Sequence, residues 1–322
     1  MTKRMALVLG ATGGIGGEMA SRLLAAGWAV RALHRNPATA SGRKAGIDWL
    51  KGDAMRPDDV AQAAAGASLI VHAVNPPGYR NWGQLVLPML ESTIAAARAS
   101  KARIVLPGTV YNYGPDAFPL VAEDSPQHPT TRKGTIRVEM ERRLRAAAGE
   151  GVRTLVVRAG DFFGPRAANN WFSQGLVKPG QPLASVANPA SPGVGHQWAY
   201  LPDVAETMMK LIERDDELEP FATFHMDGQW DADSTAMVGA IRRAIARPDL
   251  KVRPFPWWLL AIAWPVVPVF RELREMRYLW RTPVRLDNGR LVRLLGREPH
   301  TPLDDAVRET LVGLGCIAGG AT

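Results

Sequence analysis

Met5-Ala-Leu-Val-Leu9-Gly10-Ala-Thr12-Gly13-Gly14-Ile15-Gly16 is the stretch whose reading decides the fold. A short apolar run, Met5–Leu9, reads as a strand, and Ile15–Ala26 reads as a helix ended by Gly27. Between them glycine recurs every third residue. The first glycine permits a tight turn, the next lets the backbone approach a pyrophosphate, and the last lets helix and strand pack closely. The helix start then offers N–H groups and a partial positive charge to an anion. Gly10, Thr12, Gly13, Gly14, Ile15 and Gly16 are therefore expected to bind the diphosphate of a dinucleotide. A ligand-free glycine turn is the alternative.

Downstream the pattern repeats. Ala29–Leu33, Ile47–Leu50, Leu69–Ala73, Ile104–Leu106 and Thr154–Val157 read as further strands. Helical patterns fall near Pro57–Ala65, Leu85–Ser100 and Glu139–Ala148. Apolar strands alternating with helices imply right-handed crossovers and a parallel sheet covered on both faces. After Gly164-Pro165 the rhythm changes and prolines and glycines thicken. Phe221–Met226 reads as one more strand, and Asp231–Ala246 as a helix that Asp231-Ala-Asp233 caps. The expected architecture is a doubly wound Rossmann domain over 1–165, rejoined by 196–226. A smaller C-terminal substrate lobe takes 166–195 and 227–322.

The second expected strand ends in Arg31-Ala-Leu-His34-Arg35-Asn36. An NAD-preferring site places a carboxylate here against the ribose hydroxyls. This chain has none, and the fork of donors on Arg35 suits a 2′-phosphate. NADP(H) is therefore expected over NAD(H), with His34 and Arg35 at the site; a solvated loop arginine is the plain alternative. Asp53 and Ala54 follow the third strand. The Asp53 carboxylate is placed to accept from an adenine amino group, unless it serves only the turn, a purpose Asp58 already meets. Ala73, Val74 and Asn75 close the fourth strand at the carboxyl edge where ligands bind.

The 322 residues are 46% hydrophobic, ample for a large α/β core. Lys and Arg exceed Asp and Glu by 39 to 31, without a dense run. A phosphate-bearing ligand explains that excess better than nucleic acid, which is not expected as a partner. The one cysteine, Cys316, excludes an intrachain disulfide, and the chain runs straight into a strand, so a cytoplasmic protein is expected. None of the six histidines pair at metal-ligand spacing, so no metal is expected. The absence of a Gly-x-Ser-x-Gly elbow argues against a hydrolase of that type. The apolar, Trp- and Pro-rich run from Phe255 to Phe270 is shorter than the roughly 20 residues of a spanning helix. A helix packed in the lobe is preferred to one lying on a membrane.

Four further segments complete a pattern. They are Thr109-Val-Tyr111-Asn-Tyr113-Gly114, Arg158-Ala159-Gly-Asp-Phe-Phe-Gly164-Pro165, Trp198-Ala-Tyr-Leu-Pro-Asp203-Val-Ala and Gly296-Arg-Glu-Pro-His-Thr-Pro302-Leu303. With the glycine turn and Asp53, the chain resembles the extended short-chain dehydrogenase/reductase superfamily, in its NAD-dependent epimerase/dehydratase branch, over nearly its whole length. The resemblance implies a small-molecule substrate, a homodimer through a four-helix bundle, and Ala159 beside the nicotinamide. It also puts Asn169, Asn170 and Trp171 in the substrate pocket, with His196 at its edge. For Asn170 and Trp171 a helix cap and a buried aromatic are equally open readings.

The catalytic set implied is a Ser or Thr, a Tyr, and a Lys four residues after it. Thr109 falls on the hydroxyl position. The best alignment then puts Lys133 on the tyrosine and Arg137 on the lysine, and no tyrosine lies between Tyr113 and Tyr200. Three accounts stay open. Tyr111, Tyr113 or a desolvated Lys133 is the acid/base; Lys133 and Thr109 polarise the substrate for hydride delivery; or the chain binds cofactor without turnover. The expected function is an atypical NADP(H)-dependent oxidoreductase or epimerase-like enzyme acting on a small carbonyl or polyol-type substrate. The alternative is an NADP(H) sensor.

Overall fold

The computed structural model describes residues 4–41, 45–76, 81–167, 170–258 and 274–319. The chain divides into two compact units. The first comprises Met1–Asn112, Lys133–Arg158 and Val204–Phe224; the second comprises Tyr113–Arg132, Ala159–Asp203 and His225–Thr322.

The first unit is built on a seven-stranded sheet. In chain order its strands are β1 (Met5–Leu9), β2 (Ala29–His34), β3 (Ile47–Lys51), β4 (Leu69–His72), β5 (Arg103–Thr109), β7 (Thr154–Ala159) and β11 (Phe221–His225). They lie in the order β11-β7-β5-β4-β1-β2-β3. The sheet is parallel, with β1 paired to β2 at Met5↔Ala29 and to β4 at Ala6↔Leu69. The helices are α1 (Gly14–Ala25), α2 (Pro37–Ser41), α3 (Pro57–Ala64), α4 (Trp82–Ser100), α5 (Arg132–Gly149) and α6 (Leu201–Ile212). Strand order reverses between β1 and β4, and ligands of such sheets bind outside the strand ends at that reversal.

Strand residues are buried on both faces, which is why the strands read as unbroken apolar runs. Leu7, Leu9, Ile70, Ile104, Leu106 and Val156 pack with Val60, Ala63, Leu90, Ile94, Met140 and Leu144 from α3, α4 and α5. The alternate residues Ala6, Val8, Val71, Val105, Leu155 and Val157 are buried as well. Gly27, at φ +79°, stops α1: its N–H donates to Leu24 O and that of Trp28 to Leu23 O.

The second unit holds smaller sheets. Strands β8 (Asp161–Phe163), β10 (His196–Tyr200) and β12 (Gln229–Asp231) form one; β9 (Ser185–Asn188) pairs with β13 (Lys251–Pro254), and β6 (Leu120–Val121) with β14 (Arg285–Leu286). Helices α7 (Ala236–Ala244), α8 (Gly289–Leu295) and α9 (Leu303–Gly313) complete it.

Three element readings need correction. Helix α5 starts at Arg132, seven residues before the expected Glu139, so Lys133 and Arg137 are helical. Strand β5 extends from Ile104–Leu106 to Arg103–Thr109, because buried Arg103 is neutralised by Asp215 and Thr109 is itself buried. The helix read over Asp231–Ala246 is a strand end followed by α7. There Asp231 does cap: its carboxylate accepts the N–H groups of Ala236 and Met237 at 3.0 and 2.9 Å.

Candidate cofactor and catalytic site

The β1–α1 turn is made of backbone. Gly10 has φ +88°, and a Cβ on it would stand 2.5 Å from Ala73 O and 2.8 Å from Val74 N. The end of β1 therefore lies directly on the backbone that leaves β4. A Cβ on Gly16 would stand 2.2 Å from Gly10 O, so helix start and strand end touch as closely. The Gly13 N–H donates to Gly10 O and the Gly17 N–H to Gly13 O, both at 2.9 Å. Gly13 caps α1 without a side chain, and the first turn holds no acidic residue. First-turn N–H groups have no acceptor within their own helix. Thr12 and Gly13 are exposed, and among the described residues no side chain caps this end against an anion.

Around the turn the expected residues divide. Arg35 and Asn75 are exposed and His34, Asp53, Ala54, Ala73 and Val74 half-buried. Arg31 spends its guanidinium on Asp48 and on the carbonyl of Ala65, which leaves Arg35 as the exposed cation at the end of β2. His34 Nδ1 lies 2.7 Å from Asn36 O, and its ring meets Trp49 edge-on. Asp53 Oδ1 accepts from Met55 N at 3.0 Å and the Asp53 N–H donates to Asp59 Oδ2 at 2.9 Å. The turn carboxylate is thus Asp59, where the sequence suggested Asp58. Asn75 Oδ1 accepts the indole N–H of Trp82, a contact the sequence did not suggest.

Helix α5 carries Lys133, Arg137 and Glu141 four residues apart, hence on one face. Lys133 is 5% exposed and Thr109 8%. The Tyr111 N–H lies 3.4 Å from Thr109 Oγ1. Arg137 stacks over Trp82 at 5.4 Å and donates to Pro107 O at 3.4 Å. His72, at the end of β4, bonds Thr93 Oγ1 at 2.8 Å. Burial, with the nearby Arg137 charge second, lowers its pKa to about 3, so the imidazole stays neutral.

Beneath these groups sits an ion pair the sequence reading missed. Arg158, fully buried, donates to both oxygens of Glu141 at 3.0 and 2.6 Å. Asn112 Nδ2 donates to Glu141 Oε1 at 2.9 Å. One carboxylate thereby ties α5 to β7 and to the segment that carries Thr109 and Tyr111. The spacing 133, 137, 141 was the available signal, once α5 is begun early enough.

Other expected residues have different surroundings. Tyr113 is in the second unit, fully buried, its hydroxyl 2.9 Å from His225 Nε2. His225 Nδ1 lies 3.1 Å from Val121 O in turn, so the Tyr113 hydroxyl belongs to a buried hydrogen-bonded pair. Asn170 commits both ends of its amide locally, accepting from Ser173 N at 2.8 Å and donating to Ala167 O at 2.9 Å. It caps the turn that follows. Trp171 is buried among Phe255, Trp257 and Trp280. His196 is buried on β10, and Ala159 ends β7. Asn169 and the run beyond Trp258 lie outside the described residues. Among the described residues no His, Cys, Asp and Glu cluster suits a metal, and no helix is long and apolar enough to cross a membrane.

Residues 10–162 match the model of an NAD(P)H-binding family. A search of curated proteins finds no match. Solved structures share the fold over nearly the full length. L-threonine dehydrogenase from Clostridium difficile superposes with a TM-score of 0.75 at 17% identity, over 98% of this chain and 99% of its own. The dTDP-glucose 4,6-dehydratase DesIV of Streptomyces venezuelae, with NAD and TYD bound, gives 0.72 at 15% over 96% of each chain. The Bordetella bronchiseptica enzyme WbmH, in complex with NAD+, gives 0.68 at 17% over 97% and 98%. The residues similar to the NAD(P)H-binding family thus lie in a fold shared with these enzymes.

Proposed function

We propose that the chain binds NADP(H) and acts as an atypical oxidoreductase or epimerase-like enzyme on a small carbonyl or polyol-type substrate. The observation that carries this is the bare β1–α1 turn, where Gly10 and Gly16 leave no room for a Cβ and the helix start carries no side-chain cap. Gly10, Thr12, Gly13, Gly14, Ile15 and Gly16 hold the diphosphate, Asp53 and Ala54 line the adenosine, and Ala73, Val74 and Asn75, with Ala159, the ribose and nicotinamide side. Arg35 favours the 2′-phosphate, since the end of β2 has an exposed guanidinium and no carboxylate.

When bound, the nicotinamide supplies or accepts a hydride. The chain's own part is to orient and polarise. Thr109 donates a hydrogen bond to the substrate oxygen, and the Lys133 ammonium draws electron density toward it. Arg137 holds the ribose side as a permanent donor, a role its place on Trp82 pre-orients. Tyr111, half-buried two residues after Thr109, is the acid/base in this scheme. NADPH fluorescence titration followed by stopped-flow absorbance over a carbonyl panel is the test. Tight binding with oxidation of NADPH by at least one ketone is expected. Tight binding without turnover on any compound supports the sensor reading, which Lys133 favours, standing where the resemblance implies a tyrosine. No binding of any pyridine dinucleotide overturns both.

A further inference from the structure

One surface of the second unit carries positive charge and apolar area together. Residues 251–281 hold six basic and two acidic side chains, so half of the chain's net charge of +8 falls in a tenth of its length. All four residues of β13 are exposed, Lys251, Val252 and Arg253 among them. This strand pairs with β9 alone, so its outer side is a sheet edge. Charged edge residues deter strand pairing, but that does not account for the aromatic residue that follows. Trp257 turns inward: its indole N–H donates to Pro189 O at 2.9 Å, and its ring meets Trp171 and Phe255. Trp258 is 64% exposed, the most exposed large apolar side chain among the described residues. Packing in the lobe, preferred on sequence, thus holds for Trp257 and fails for Trp258. Arg277 lies over the Trp257 ring at 5.3 Å, which brings a second stretch of chain to the same place. Burial first, and then the charges of Arg281 and Arg274, push its guanidinium below the ordinary range. These three arginines are therefore close enough to repel one another. Lys251, Arg253, Arg277 and Arg281 form no ion pair among the described residues.

Like charges gathered around an exposed indole are costly in water and are relieved by a surface that is both anionic and apolar. We infer that Lys251, Arg253, Arg274, Arg277 and Arg281, set around Trp258, seat the second unit on an anionic lipid bilayer. The indole enters the interfacial layer with Val252, and the cations meet the lipid phosphates while their stems lie along apolar surface. A free phosphate would use the cations and leave Val252 and Trp258 in water; the bilayer interface uses both. This goes beyond the proposed function and holds whether or not the chain turns a substrate over.

Co-sedimentation of the full chain with vesicles tests it, one set of phosphatidylcholine and one of phosphatidylcholine mixed with phosphatidylglycerol. Binding to the mixed vesicles alone is expected, with a blue shift of tryptophan emission and release by high salt. Lys251→Gln combined with Arg253→Gln should weaken that binding about thirtyfold, and Trp258→Ser about tenfold. Both variants should keep the melting temperature, since all three side chains are exposed. Binding to neither vesicle, equal binding to both, or undiminished binding by either variant overturns the inference. Tighter binding to a single-stranded DNA oligonucleotide than to the mixed vesicles overturns it as well, and assigns the patch to nucleic acid.

Discussion

The β1–α1 turn and the face of α5 are both expected parts of one site, yet they are built by opposite means. The turn works by what it lacks: Gly10 and Gly16 stand where a Cβ would strike backbone, and Gly13 caps the helix with no side chain. The α5 face works by what it carries, with Lys133 buried, Arg137 on Trp82, and Glu141 locked to Arg158. Backbone constraints at the turn admit few substitutes, whereas the side-chain chemistry of the α5 face can vary while the fold persists.

The largest effect should come from breaking the α5 face at its root. Glu141→Ala leaves Arg158 buried without its counter-charge and should cost about 3–5 kcal/mol in urea unfolding. Glu139→Ala, which removes partly exposed ion pairs with Arg142 and Arg143, should cost about 1 kcal/mol or less. Equal losses would mean the buried pair has no special weight.

Next comes the turn. Gly16→Val should lower NADPH affinity by about a hundredfold, with the fluorescence titration read against the melting temperature to separate local from global damage. Retained affinity would refute the close-approach reading.

The His72 environment gives a smaller, pH-dependent effect. The folded pKa, about 3, lies below the ordinary value of 6.5, so between these values the unfolded chain binds a proton that the native chain refuses. Stability is unaffected by this group above pH 6.5 and falls as pH drops below it, by up to about 1.4 kcal/mol per unit. His72→Gln should flatten that slope in denaturant melts taken from pH 7 to 4; an unchanged slope would show that His72 does not carry it.

The smallest is Arg35→Ser, expected to weaken NADPH about tenfold and NADH hardly at all. A loss shared by both cofactors would count against the 2′-phosphate role.

The comparison also explains what was legible. A glycine pattern announces itself because only a missing side chain satisfies the turn, so β1 and α1 were readable to within a residue or two. The start of α5 was not: Arg132-Lys-Gly-Thr-Ile-Arg137 is polar at every position but one, and its burial comes from tertiary partners. Arg158 and Arg103 are buried cations inside strands, which no hydropathy reading selects. Tyr113 and Tyr111 are two residues apart in one motif, yet only the packing of His225 distinguishes them. Asn170 and Trp171 had even readings as ligand contacts and as scaffold, and only the structure shows the Asn170 amide bonded to Ala167 O and Ser173 N.

The first unit is assembled from three separated stretches of chain, the last being Val204–Phe224. On the ribosome, the stretch 10–162 therefore emerges well before β11, the strand that finishes the sheet beside β7. Until then the nascent protein presents β7 as an open edge, a template for pairing with the wrong neighbour. A fragment cut at residue 162 would inherit that edge permanently, so the portion that matches the NAD(P)H-binding family is not by itself a unit of folding.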